Sequence, residues 1–342
     1  MSTSQTKTRA DFLEYHLTVG MTTMEGRGFY YPTDTAISND GRLYVISRTL
    51  ENVTRGVRVT MCDIDGEYFG TFGSYGEGDG QFIWPSCGAV DSRGRVYVTD
   101  EYLNRISVFD ASGGFLAKWG TSGHGEGEFD TSSGIACDRE DNLYVSDTYN
   151  NRIQKFTSGG RYLSSFGSLD NSDGKLNLPW GVTVDTTGNV YVADWGNDRI
   201  QKFAPDGQHL AVYGSTGDGD GQFNRPSGVA VDGDGYIYVS DWGNERVQVL
   251  DAEGGFVMKL RGQATLSKWA DNFLKINVEE GAARSRADLE PQIDYFVNDP
   301  HEESSHIEKY FWSPTSAKLD GAGNLFITES NRHRIQVYKR SA

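Results

Sequence analysis

Residues 217–250 read GDGDGQFNRPSGVAVDGDGYIYVSDWGNERVQVL, and variants of this stretch recur about every 47 residues along the chain. The copies of its last ten residues are DEYLNRISVF from Asp100, DTYNNRIQKF from Asp147, DWGNDRIQKF from Asp194 and, less regular, ESNRHRIQVY from Glu329. A fixed period of this length indicates an array of identical supersecondary units. The sequence therefore predicts a repeat fold, and function must be sought where the copies differ.

Each repeat predicts four short antiparallel strands. In the copy that starts at Pro179, alternating apolar residues mark strands at 182–184, 190–193, 200–203 and 210–213. Turns rich in Asp, Asn and Gly separate them, which is typical of hairpins. Paired helices, the alternative at this period, need few glycines, whereas the chain has 42. Four short strands per repeat indicate the blade of a β-propeller.

The repeats predict six blades in a single all-β domain, residues 1–342. The position of Asp100 is occupied in turn by Ser47, Asp100, Asp147, Asp194, Asp241 and Glu329. The last spacing is too long for one blade, and residues 263–311 contain no repeat phrase, so they are interpreted as an insertion. The last copy has only three strands, and residues 12–20 align with the outer strand of other copies. We therefore expect an N-terminal strand to complete blade six and remove the open edges.

These phrases resemble the NHL repeat, whose units carry G-x-G-x-G-Q-F-x-x-P-x-G-V-A-V-D, then N-x-Y-V-A-D, then N-x-R-I-Q-V-F. Residues 217–232 are close to that pattern, and the resemblance covers nearly all of the chain outside residues 263–311. The resemblance implies a six-bladed propeller. It says little about activity, because the family includes RNA-binding and protein-binding propellers, bacterial sensor domains and metal-dependent amidating lyases.

Composition limits the classes of function. The formal net charge of −16 disfavours nucleic-acid partners, because an acidic surface repels phosphate backbones. The sequence has no apolar run long enough for a bilayer span, and its first residues lack the apolar stretch of a signal peptide. Its three cysteines imply no disulfide framework. We therefore expect an acidic, cytoplasmic protein without a membrane partner.

A carboxylate and an arginine recur in every regular blade. Loops between second and third strands emerge on one side of a propeller, here called the upper face, together with the connections between blades. The carboxylates at 100, 147, 194, 241 and 329 lie in these loops, and arginines follow at 58, 105, 152, 199, 246 and 334. A residue repeated in each blade is usually architectural, so a structural Asp–Arg pair is favoured over catalysis.

Three irregularities fall on blades six and one, which the closure makes neighbours. Ser47 and Glu329 replace the recurrent Asp, the loop between Ser47 and Arg58 is six residues longer than its counterparts, and the insertion precedes blade six. Within the insertion, Trp269, Phe273 and Ile276 share one predicted helical face, and a second helical pattern places Ala283, Ala287, Ile293 and Phe296 together. The insertion is either a lid on the upper face or a cap packed on the rim.

The innermost strands add a further set of candidates. Two residues after the blade proline, near the channel, lie Asp34, Cys87, Gly134, Gly181, Gly228 and Ser316. A cysteine there is more often a small buried apolar residue than a nucleophile or ligand. Asp34 is harder to explain by packing, because a charge near the axis needs a partner or a metal.

Aromatic residues concentrate on the same face. They are Tyr31, Trp84, Tyr102, Tyr149, Trp180, Trp195, Trp242 and Trp312. With Arg48, Cys87, Asp100 and Ser316 they form the predicted binding set, which suits an apolar or cationic ligand. The alternative is that the tryptophans pack between blades.

Metal and catalytic signals are sparse. The amidating lyases that this chain resembles hold zinc with several histidines, and here only His333 lies where one such ligand would be, so an intact site of that kind is doubtful. The phrase HEESSH at 301–306 predicts a solvated loop rather than a metal motif. No cofactor is certain, and a divalent metal in the channel, calcium or zinc, stays open. The catalytic candidates are Asp34, Glu329 and His333, the last two as a base and the residue that orients it.

The sequence thus predicts a propeller that binds a small molecule or a peptide at its upper face, with residues 263–311 as a lid. Two alternatives stay open. One is a lyase or hydrolase whose site in the central channel uses a metal or an acid/base pair. The other is a protein-interaction scaffold.

Overall fold

The computed structural model describes residues 12–49, 54–169, 172–292 and 299–341. Its main elements are six four-stranded antiparallel sheets, each with the strand order expected for a propeller blade. The first strands of the six blades contact one another in a closed ring around the axis. The prediction of a six-bladed, all-β propeller is confirmed.

The strands of each blade follow the sequence repeat. Blade one contains Pro32–Ile37, Leu43–Ser47, Arg58–Cys62 and Tyr68–Phe72, and blade two contains Pro85–Val90, Val96–Asp100, Arg105–Phe109 and Phe115–Trp119. Blade three contains Ser132–Cys137, Leu143–Asp147, Arg152–Phe156 and Tyr162–Phe166, and blade four contains Pro179–Val184, Val190–Asp194, Arg199–Phe203 and His209–Tyr213. Blade five contains Pro226–Val231, Ile237–Asp241, Arg246–Leu250 and Phe256–Leu260, and blade six contains Pro314–Leu319, Leu325–Glu329, Arg334–Arg340 and Leu13–Val19.

Short elements complete the described chain. The Gly-rich connections between blades form two-residue parallel pairs that the sequence did not predict, at Ser74–Tyr75 with Gln81–Phe82, Thr121–Ser122 with Glu128–Phe129 and Ser215–Thr216 with Gln222–Phe223. Single 3-10 turns lie at Trp195–Asn197 and Trp242–Asn244. Three α-helices, Lys268–Ile276, Val278–Arg284 and Pro300–His306, lie in the insertion. No helix among these residues is long and apolar enough to cross a bilayer.

The N-terminal strand closes the ring as predicted. Leu13–Val19 runs antiparallel to Arg334–Arg340, in a register that pairs Leu13 with Arg340 and Val19 with Ile335. Blade six therefore gains its fourth strand from the other end of the chain. This arrangement makes the interface between blades six and one depend on residues that are far apart in sequence.

Apolar side chains fill the interfaces between neighbouring blades. In blades two to four the third strand ends in Phe109, Phe156 or Phe203, and each ring packs against an aromatic residue at the end of the preceding blade's fourth strand. At the closure, however, the corresponding residues are Cys62 and Val19, which are both smaller. Without another side chain this interface would contain a cavity.

Trp269, from the first helix of the insertion, occupies that space. It is 1% exposed and belongs to the same apolar cluster as Val19, Phe29 and Cys62. Its indole lies against the turn glycine Gly66, as a fourth-strand ring does at four of the other five interfaces, and its Nε1 donates to the Gly66 carbonyl at 2.6 Å. The insertion thus supplies the aromatic ring that the closing interface lacks.

The rest of the insertion only partly matches its predicted pattern. Helix Lys268–Ile276 is confirmed, with Ser267 as its N-cap, but Phe273 and Ile276 on its predicted buried face are largely exposed. The second helix, Val278–Arg284, includes only Ala283 of the predicted set, Ala287 lies beyond its end, and Ile293 and Phe296 lie outside the described residues. Residues 301–306, predicted as a loop, lie in helix Pro300–His306, because Asp299 caps it and proline suits its first turn.

We expect Trp269→Ala to lower the free energy of unfolding by about 3–5 kcal/mol, because it leaves a cavity where two blades meet. Phe273→Ala, in the same helix but 43% exposed, is the matched control and should change stability by less than about 1 kcal/mol. Urea denaturation of the two variants makes the comparison. Equal stability of the two variants would show that the closure does not depend on Trp269.

Candidate functional site

The recurrent carboxylates of blades three to six are bound within their own blades. Asp194 is fully buried, and its Oδ2 accepts hydrogen bonds from Arg199 Nε at 2.8 Å and Gln201 Nε2 at 2.8 Å, while its Oδ1 accepts from the backbone of Asn177. Asp147, Asp241 and Glu329 repeat this pattern with their own arginine and glutamine. These groups hold the upper loops onto the sheets.

Blades one and two lack this pattern. Ser47 replaces the carboxylate in blade one, and Thr60 and Ser107 occupy the positions of the glutamines. Asp100 of blade two accepts four backbone N–H groups, but Arg105 donates instead to main-chain carbonyls. The structural prediction for the Asp–Arg pair therefore describes blades three to six only.

A second recurrent hydrogen bond links neighbouring blades at five of the six interfaces. The residue before the third-strand arginine adopts a positive φ and accepts from the backbone N–H that precedes the next blade's first strand. The five acceptors are Asn104, Asn151, Asp198, Glu245 and His333, with distances of 2.5 to 2.9 Å. Blade one has Val57 at this position and lacks this link to blade two. Trp84 N, the corresponding donor, bonds instead to Asp100 of its own blade at 3.2 Å.

His333, a catalytic candidate from sequence, is the interblade acceptor of blade six. Its Nδ1 accepts from Tyr31 N at 2.8 Å, and its ring stacks on Tyr30 with centroids 5.5 Å apart. Burial lowers the pKa of His333 to about 4, so the ring is neutral near pH 7. Glu329 is bound to Arg334, Gln336 and the backbone of Trp312. Each residue of the proposed pair therefore has a separate structural bond.

The central channel is nearly closed. Inner-strand residues of all six blades, including Asp34, Cys87 and Ser316, line a narrow cavity on the axis. Ser316 Oγ lies 3.1 Å from Thr328 Oγ1. Burial raises the pKa of the Cys87 thiol well above its ordinary value, so it is protonated and a poor nucleophile. The interpretation of Cys87 as a small buried residue fits this environment.

Asp34 has an ionic partner that the sequence prediction missed. Its Oδ2 lies 3.3 Å from Lys318 Nζ and accepts from Gly88 N at 2.9 Å, whereas Oδ1 has no hydrogen-bond partner in the described part of the chain. Burial disfavours the charged lysine, but the surrounding acidic groups, with Asp34 first among them, together outweigh this effect, and the pKa of Lys318 is raised. The other blades have Ala or Thr at the position of Lys318, at 36, 89, 136, 183 and 230. Comparison of the repeats could therefore have identified Lys318 as the one charged residue at this position.

The donor set does not fit a divalent metal. Among the described residues, no three His, Cys, Asp or Glu side chains converge as metal ligands. The axial carboxylate, Asp34, faces an ammonium group rather than a second carboxylate. An ammonium at that distance competes with a cation for the same oxygen.

The predicted aromatic residues differ in how open they are. Trp84, Tyr102 and Tyr149 are 47%, 62% and 60% exposed, which makes them the open members of the set. Tyr31, Trp180, Trp195, Trp242 and Trp312 are half-buried. Trp180 and Trp195 lie side by side with centroids 6.5 Å apart, and Arg225 covers Trp195 at 5.0 Å. Exposed rings therefore come from blades two and three, and partly covered rings from blades four to six and one.

Trp312 is held by the insertion. Its Nε1 donates to His301 Nε2 at 3.2 Å, so His301 Nδ1 bears the proton that it donates to Glu245 Oε1 at 2.6 Å. Burial raises the pKa of Glu245 to about 7. Helix Pro300–His306 is thus fixed to the upper loops of blades five and six, and Trp312 is less available to a ligand than the rings of blades two and three.

One charged pair lies beside the exposed rings. Arg48 NH1 lies 3.4 Å from Glu101 Oε2, and Ser86 Oγ donates to Glu101 Oε1 at 2.6 Å. Glu101 is 7% exposed, and burial raises its pKa despite Arg48 and Ser86. Arg48 was predicted as a binding residue, whereas Glu101 was missed. The upper end of the channel, with the eight aromatic residues above and this pair, is here called the upper mouth.

Comparison with known proteins agrees with this architecture. The family described as SMP-30/gluconolactonase/LRE-like region matches residues 53–218, and the NHL repeat matches residues 223–250. The chain is therefore a six-bladed propeller of the NHL-repeat type. No curated protein sequence matches it.

Solved structures share the fold at low sequence identity. A structural genomics protein of unknown function from Bacteroides thetaiotaomicron is 20% identical with a TM-score of 0.61, over 96% of this chain and 75% of that one. Virginiamycin B lyase from Staphylococcus aureus is 13% identical with a TM-score of 0.54, over 96% and 98%. A gluconolactonase from Xanthomonas campestris is 16% identical with a TM-score of 0.58, over 92% and 87%.

The Asp34–Lys318 pair generates a stability prediction. Lys318→Ala should cost about 3–5 kcal/mol, because it leaves a buried carboxylate without its partner. Asp34→Ser combined with Lys318→Ala installs residues that other blades already have at these positions, so the double variant should be more stable than Lys318→Ala alone. Thermal and urea unfolding give the comparison. A double variant that loses the sum of the two single losses would show that the residues are not coupled.

His333 generates a pH prediction. Its folded pKa of about 4 lies below the ordinary 6.5, so the unfolded chain takes up the proton first. Burial of the neutral His333 ring therefore contributes fully to the free energy of unfolding above pH 6.5. This contribution, about 3 kcal/mol, is lost as the pH falls towards 4. His333→Asn, which installs the residue of blades two and three, should flatten the unfolding free energy between pH 4 and 6.5 relative to wild type. Parallel pH profiles would contradict this role.

Proposed function

We propose that the protein binds a small molecule or a peptide at the upper mouth. The observation that carries the proposal is the exposure of Trp84, Tyr102 and Tyr149 on the upper loops of blades two and three. The faces of such rings bind apolar or cationic groups, as Trp84 already does with Arg48 at 5.8 Å from its ring centroid, and a ligand resting on them needs no entry into the channel.

The chemistry of the channel supports binding rather than turnover. Asp34 is paired with Lys318, Glu329 with Arg334, and His333 accepts an interblade hydrogen bond. The lyase and gluconolactonase neighbours share the propeller fold at 16% identity or less, so their activities do not transfer to this chain. A lyase or hydrolase remains the alternative. No geometric feature of the described residues favours it over binding.

In this proposal the described residues of the insertion stabilise the ring, and whether the insertion also covers the upper mouth stays a prediction. Trp269 fills the closing interface, and helix Pro300–His306 is fixed to Glu245 through His301. The described residues of the insertion do not line the axial cavity. We further expect partners to be small molecules, peptides or proteins rather than nucleic acids, because the net charge of −16 opposes phosphate binding.

The test is a fragment screen by ligand-observed NMR, followed by competition in variants. Trp84→Ala and Tyr102→Ala should abolish binding of hits while the unfolding temperature stays within a few degrees of wild type, because both rings are already exposed. Phe69→Ala is the control, since this ring is 46% exposed but lies on the outer strand of blade one. Hits that persist in the mouth variants and vanish in the control would place binding elsewhere.

A further inference from the structure

The residue type varies around the ring at the position after the recurrent carboxylate. In order, blades one to six present Arg48, Glu101, Thr148, Trp195, Trp242 and Ser330. Among these six residues Glu101 is the one acid and Arg48 the one cation. They are neighbours and form an ion pair across the interface between blades one and two. The two charges are therefore a local feature and not part of the repeat.

Arg48 and Glu101 differ in exposure, and the geometry of their ion pair is weak. The contact is a single 3.4 Å approach by NH1, and no second contact of Arg48 with the carboxylate is present among the described residues, although a guanidinium can offer two parallel donors. Arg48 is 32% exposed, whereas Glu101 is 7% exposed. The Arg48 guanidinium also lies over Trp84, 5.8 Å from the ring centroid. A buried carboxylate paired with a partly solvated cation through one long contact is incompletely compensated. Burial accordingly raises the pKa of Glu101.

The interface between blades one and two lacks stabilising contacts that recur elsewhere in the ring. Val57 cannot make the interblade hydrogen bond found at the other five interfaces. In the described structure, the third-strand arginines Arg58 and Arg105 leave Nε without a hydrogen-bond partner. In blades three to six the corresponding Nε donates to the recurrent carboxylate. Local departures from a repeated stabilising pattern are expected where function competes with stability.

From these observations we propose that Glu101 is the anchor for a cationic group of the ligand, which displaces Arg48. The ligand would carry an amine or guanidinium next to a flat apolar group. The cation would sit on Glu101, which Ser86 orients through the 2.6 Å hydrogen bond, and the flat group would lie on Trp84 or Tyr102. In the ligand-free protein Arg48 acts as an internal substitute for the cation. This inference rests on the proposed function and specifies its ligand class.

The acidic character of the chain fits a cationic ligand. A net charge of −16 raises the local concentration of cations near the surface and repels anions. The opposite assignment, in which Arg48 anchors an anionic ligand, has to overcome this field and leaves Glu101 buried without its partner. The charge and burial of the pair therefore favour Glu101 as the anchor.

Three indole probes of matched size test the charge preference of the full chain: tryptamine, which is cationic, tryptophol, which is neutral, and 3-indolepropionate, which is anionic. Dissociation constants come from calorimetry at low salt. We expect tryptamine to bind most tightly and 3-indolepropionate least. Glu101→Gln should weaken tryptamine about tenfold or more, the loss expected for one charge-assisted hydrogen bond. Arg48→Ala should strengthen tryptamine a few-fold, as expected when a weak competing ion pair is removed.

Asp198→Asn is the matched control. It removes one negative charge from an upper loop, and Asn is the residue that blades two and three have at this position, at Asn104 and Asn151. Tryptamine should bind it as it binds wild type. If Asp198→Asn and Glu101→Gln weaken tryptamine equally, the effect is one of net charge and the anchor is misassigned.

The remaining outcomes separate the two proposals. Equal binding of the three probes, lost in Trp84→Ala, would leave binding at the upper mouth intact and overturn the cationic anchor. Tightest binding of 3-indolepropionate, lost in Arg48→Ala, would make Arg48 the anchor and also overturn it. Binding of none of the three probes would count against both the ligand class and the upper mouth as a binding site.

Discussion

Closure of the ring is the constraint on which this structure depends. Six sheets stand around one axis, and each must bury apolar side chains against both neighbours. Within a regular blade the repeat itself provides those side chains, together with the carboxylate, arginine and glutamine that hold the upper loop. At the interface between blades six and one the repeat does not provide these side chains, because the residues there come from distant parts of the chain. Trp269, from the insertion, supplies the aromatic ring that fills this interface.

The distribution of polar contacts around the ring then explains where function can reside. Blades three to six use their buried carboxylates and amides for structure, which leaves those groups no capacity to bind a ligand. Blades one and two keep the strands but lose the regular contacts around Asp100 and Arg105. The exposed Trp84 and the Arg48–Glu101 pair lie at this less constrained interface. Stability elsewhere in the ring tolerates such a local loss, because each blade contacts only its neighbours.

The architecture could be predicted from the sequence because each copy of the repeat shows the same pattern of strands and turns. Blade number, strand order and the N-terminal closing strand all followed from the period and from the incomplete last copy. The role of Trp269 could not be predicted, because the gap that it fills appears only when Val19 and Cys62 face each other across the closure. Likewise, Lys318 and Glu101 differ from their counterparts in the sequence, but their partners become evident only when neighbouring blades are placed side by side.

Hydrogen exchange of the ligand-free protein tests the central claim that the interface between blades one and two is the least constrained of the regular interfaces. The connection into blade two, residues 74–84, should exchange faster than the equivalent connection into blade five, residues 215–225. The latter contains Arg225 N, which is held by Asp198, whereas Trp84 N makes a longer bond to Asp100. Equal or slower exchange of residues 74–84 would contradict the account.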